Sequence, residues 1–123
     1  MSMQHVDLVV SSIERSLPFY RDLLAPLGFH RIGEVEGERG ETIWYLSGAA
    51  SAVGLREAQT PSEGPYDRYR VGLHHVAFEA SSRGAVNERA DWLRNRAPRS
   101  RAGRRNSPTC RGITRCSSTT RTE

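Results

Sequence analysis

Six residues near the start, His5–Val10 (HVDLVV), form a β-branched run that predicts a strand. Apolar residues then recur at Ile13, Leu17, Tyr20, Leu24 and Leu27, at intervals of 4, 3, 4 and 3, which is one face of a helix. Ser11 with Glu14 predicts a capping box at its start, and Gly28 is placed to end it. Pro18 interrupts this pattern, because a proline past the first turn removes a backbone hydrogen bond. The expectation is a short first turn, with the main helix starting close to Pro18. Three further strands are predicted at Phe29–Glu36, Thr42–Ser47 and Ala52–Glu57, separated by Gly37–Gly40 and by the small residues Gly48–Ser51. After a polar linker over Thr60–Arg70, Leu73–Ala80 (LHHVAFEA) reads as another strand. Ser81 or Ser82 then caps a helix to about Arg96, with Val86, Ala90 and Leu93 on its buried face.

The pattern repeats. Shifted by about 70 residues, HVDLVVSS (His5–Ser12) lies over HVAFEASS (His75–Ser82), with a helix predicted after each. The first copy reads as strand, helix and three strands (βαβββ). The second opens the same way and needs about three more strands after Arg96. Instead, Ile113 is the only large aliphatic or aromatic residue in 97–123, and Arg, Ser and Thr fill 16 of those 27 positions. That composition buries too little surface to offset its ordering entropy. The expected division is therefore 1–70, the first module with its linker; 71–96, the strand and helix opening the second; and 97–123, a disordered or non-native tail.

Charge follows the same division. All 18 basic residues are Arg, against 14 acidic ones, for a net charge of +4 and a pI near 9.7. Residues 1–96 hold 11 Arg and 13 Asp/Glu, whereas 97–123 hold 7 Arg and only Glu123. The basic balance belongs to the tail, so it is no argument that the folded part binds nucleic acid. The tail also lacks the aromatic interleaving of single-strand binders. Neither a membrane span nor a signal pattern is present, and the cytosol is the expected compartment. Cys110 and Cys116 fit no zinc spacing, and no disulfide framework is expected.

The stretch H-V-x-L-V-V-x-S-x-E-R-S-L-x-F-Y (His5–Tyr20) resembles the opening of the vicinal-oxygen-chelate superfamily, which includes glyoxalases, extradiol dioxygenases, fosfomycin-resistance transferases and bleomycin-resistance proteins. LHHVAF (Leu73–Phe78) resembles the start of that family's second module. The resemblance implies an α+β fold of paired βαβββ modules, here with the second truncated. It also implies a divalent metal (Fe, Mn, Zn or Ni) in the concave face of the sheet, held by His5 and His75 on the first strand of each module. Strand alternation independently turns His5, Asp7 and Val9 to the open side. The family's glyoxalases carry a Glu where this chain has Gly54, and Glu57 falls on the opposite face. Arg56, on the cleft face, and Tyr69, in the linker, are the expected substrate contacts.

Read one nucleotide out of register, Pro108–Glu123 permits D-V-P-G-Y-Y-A-V-F-F-Y-D-P-D-G, which resembles the family's penultimate strand and turn. A frameshift near Arg96 is the resulting expectation. The functional expectation is a metal-dependent lyase-, dioxygenase- or transferase-like enzyme acting on a small molecule with vicinal oxygens, impaired in this chain. The alternative is a metal-free small-molecule-binding protein of the bleomycin-resistance type. A homodimer is expected in either case.

Overall fold

A computed structural model describes residues 2–96. The chain divides into two compact units, Met1–Tyr66 and Asp67–Glu123. The tail composition, the frameshift and the missing strands fall beyond Arg96, outside the described residues.

The first unit is β1 (His5–Val10), α1 (Ile13–Leu24), a 3₁₀ turn at Ala25–Leu27, β2 (Arg31–Glu36), β3 (Thr42–Ser47) and β4 (Ala52–Glu57). The strands form one mixed sheet in the order β1-β4-β3-β2. β1 runs parallel to β4, with Asp7 beside Gly54, and the β4–β3 and β3–β2 pairs are antiparallel. Two strands joined through a helix and a hairpin can pair in parallel because that long crossover returns the chain to the same end of the sheet.

The α1 cap sits one residue later than the pattern indicated. Ser12 is the N-cap, and its hydroxyl accepts from Arg15 N–H at 3.4 Å. The helix also does not wait for Pro18 but runs continuously through it. A proline costs the helix the bond its N–H would make to the carbonyl four residues back, here that of Glu14. The half-buried apolar residues on either side, Leu17, Phe19 and Tyr20, keep the segment packed. Phe29 leaves β2 because its N–H goes to the Leu24 carbonyl (3.1 Å), finishing the helix, while Gly28 takes the left-handed conformation (φ 101°) that such an ending requires. The core lies between α1 and the sheet. Leu24, Leu46, Val53 and Leu55 are fully buried or nearly so, and by alternation the three strand residues share the helix side.

In the second unit α2 (Arg83–Arg96) forms where expected, with the Ser82 hydroxyl accepting from Ala85 N–H at 3.1 Å. Two expectations fail there. Leu73–Ala80 makes no strand ladder. A strand exists by pairing, and the positions corresponding to β4 in the repeat lie outside the described residues. Val86, Ala90 and Leu93 are only half-buried. A helix face is buried by the sheet beneath it, and no strand of this unit is formed among the described residues.

Candidate functional site

The face of the sheet opposite α1 carries the polar chemistry. Parallel pairing sets Asp7 level with Gly54, and antiparallel pairing sets Tyr45 level with Gly54 from the other side. Asp7, Tyr45 and Arg56 thereby converge over a glycine. Arg56 Nη2 donates to Asp7 Oδ2 at 2.5 Å, and Nη1 donates to Glu41 Oε1 at 3.0 Å. The Tyr45 hydroxyl donates to the same Asp7 oxygen at 3.3 Å. A Cβ on Gly54 would lie 2.8 Å from Tyr45 Cε1 and 2.9 Å from Asp7 Cγ, so glycine is the residue that lets these side chains cross.

The electrostatics are self-consistent. The bond to Asp7 raises the Arg56 pKa, keeping the guanidinium charged. Burial, followed by the hydrogen bond to the Asp7 carboxylate, raises the Tyr45 phenol and keeps it neutral. Glu41 is lowered chiefly by its own backbone N–H, with Arg39 N–H and the charges of Arg56 and Arg39 adding to this. One guanidinium bracketed by two carboxylates leaves one net negative charge. Asp7 Oδ1 and Arg56 Nε are both buried with no hydrogen-bond partner. Buried polar atoms without a partner are uncommon in native structures.

His5 lies on the same face, its ring edge-on to Tyr45 (centroids 5.7 Å, 88°). His75 belongs to the second unit, where its Nδ1 is 2.7 Å from Nδ1 of His74. One of those nitrogens carries the proton and the other accepts it, leaving each Nε2 free of this contact. Tyr69 is exposed in the same unit, with the Arg68 guanidinium over its ring and His74 edge-on at 5.4 Å. Glu57 lies on the helix side, where Oε1 accepts from Ile13 N–H at 3.3 Å and complements the positive end of α1. With Glu41, Trp44 and Ile13 it walls a cavity of about 340 Å³.

The donor set decides whether a metal fits. A divalent ion held by protein needs three or four ligands. In the first unit the open face offers the His5 imidazole, no side chain at Gly54, and an Asp7 already committed to Arg56 and Tyr45. Among the described residues no group of three or more His, Cys, Asp or Glu side chains could hold an ion. The described residues do not by themselves complete a metal centre. Glu41 and Tyr45 were missed by sequence reasoning. The available signal was alternation along Glu41–Tyr45, which sets both on the face of Arg56.

The comparisons agree with this architecture. The model of the "Glyoxalase/Bleomycin resistance protein/Dioxygenase superfamily" matches residues 2–104, and the chain belongs to that superfamily. A crystal structure described as a "putative glyoxalase" from Bacillus halodurans is similar, with 26% identity and a TM-score of 0.58; the match covers 76% of this chain and 68% of that one. No curated protein matches the chain. Among the described residues no helix is long and apolar enough to cross a membrane.

Proposed function

We propose that the chain is a small-molecule-binding member of the superfamily that works without a metal, in the cytosol, and receives its ligand on the open face of the first unit's sheet. The observation that supports this most is the Asp7–Arg56–Glu41 cluster. It is a pre-organised charged group on the open face of the sheet, beside His5 and Tyr45. Arg56 has its charge matched by two carboxylates, so it serves as an oriented hydrogen-bonding group rather than as a bare anion receptor. His5 and Tyr45 supply an aromatic wall beside it.

Backbone-amide NMR of the labelled chain against a fragment library tests this reading. Hits are expected to move the amides of His5–Val10 and Ala52–Glu57 and to be lost in Arg56→Ala. Hits that cluster elsewhere, or that Arg56→Ala leaves unchanged, would refute it.

A second reading is a metal-dependent enzyme of the lyase, dioxygenase or transferase type using His5 and His75. It is favoured by the superfamily membership and by the position of His5 on the open face. It requires further donors from outside the described residues.

A further inference from the structure

At one end of the sheet the helix side is not filled by the core. Trp44 pairs with the fully buried Leu55 and so points to the side of α1, as do Thr42 and Glu57 by alternation. Between these side chains and Ile13, the first residue of α1, lies the cavity of about 340 Å³, all of it within the first unit. That volume is at the small end of ligand sites, and the walls are of the usual kind: an indole and an aliphatic side chain for an apolar body, with a few polar groups at the mouth. The mouth is acidic. One oxygen of Glu57 accepts from Ile13 N–H, and among the described residues no Arg is paired with this carboxylate. Its full charge exceeds the roughly half charge at the start of a helix. Over residues 32–59, which supply every wall but Ile13, there are five Glu against two Arg. Of those two, Arg56 is held by Asp7 and Glu41, and Arg39 donates to the Gln59 amide oxygen at 3.2 Å. The potential at this end of the sheet is therefore negative, although the whole chain is positive.

We infer that this cavity is a second binding site, on the face of the sheet opposite the one proposed above, and that it takes a small alkylammonium cation. The ammonium group donates to the Glu57 carboxylate and to the Thr42 hydroxyl, and it lies against the Trp44 indole, whose ring face attracts cations. The alkyl chain covers Ile13. An anion would meet Glu57 and Glu41 at the mouth, and a neutral ligand of the same shape would gain nothing from the Glu57 charge. The site uses neither His5, Asp7 nor Tyr45, so it does not rest on the reading of the open face.

The test uses the full-length chain carrying Trp92→Phe, which leaves Trp44 as its one tryptophan. Titration with n-butylammonium is expected to give a saturable change in Trp44 fluorescence. Amide NMR of the wild type follows the same titration without any substitution, and the amides of Ile13, Thr42 and Gln59 are expected to move with the same saturation. n-Butanol, which has the same chain and no charge, is expected to bind at least about tenfold more weakly. Glu57→Gln keeps an oxygen for Ile13 N–H but removes the charge. It is expected to weaken butylammonium at least about tenfold with an unchanged circular-dichroism spectrum. No saturable change in either measurement would overturn the proposal. So would an equal response to n-butanol, or binding that Glu57→Gln leaves intact.

Discussion

At Gly54 the lack of a side chain is a packing requirement, because Asp7 and Tyr45 occupy the space a Cβ would need. Gly54→Ala must push the Asp7 carboxylate off Arg56 or shift the Tyr45 ring. Urea unfolding is expected to show a loss of about 1–3 kcal/mol. Gly33→Ala, where a Cβ would meet nothing within 4 Å, is expected to stay within about 0.5 kcal/mol of the wild type. An equal cost at both sites would contradict the crossing at Gly54. Part of this arrangement was legible in the sequence, since alternation along β1 and β4 turned Asp7 and Arg56 to the open side. The ion pair itself was not, because it depends on the parallel register that brings positions 49 residues apart together. Glu41 escaped notice for a similar reason, as it precedes β3 and acquires its role only when the sheet closes.

Among the elements, the first unit was legible because two independent signals agreed, the 3.6-residue period of α1 and the alternation of the strands. β3 and β4 begin and end where the turn residues indicated. Local rules erred where packing overrode them. Pro18 was read as a boundary, yet α1 passes through it, with its flanking apolar residues half-buried. Pro18→Ala is expected to restore the lost bond and raise stability. The expected gain is about 1–3 kcal/mol by thermal or urea unfolding. A loss would mean that the proline ring itself is needed at that point. Leu73–Ala80 shows the opposite limit. Its composition is that of a strand, but composition supplies no partner, and pairing is a property of the whole sheet rather than of a segment.

For the molecule as a whole, superfamily membership sets the architecture, and the open face of the first unit sets the chemistry. His5 keeps the position that the resemblance associates with a metal, but its neighbours have a different organisation. Gly54 contributes no ligand, and Asp7 is bound to Arg56 and Tyr45 on the same face. In the proposed metal-free reading this cluster stands in place of a metal centre. The direct measurement is metal content per chain after the purified protein is loaded with iron, manganese, zinc or nickel and passed through gel filtration. Less than about 0.1 ion per chain is expected for each metal. Close to one ion per chain, falling away in His5→Ala, would contradict it.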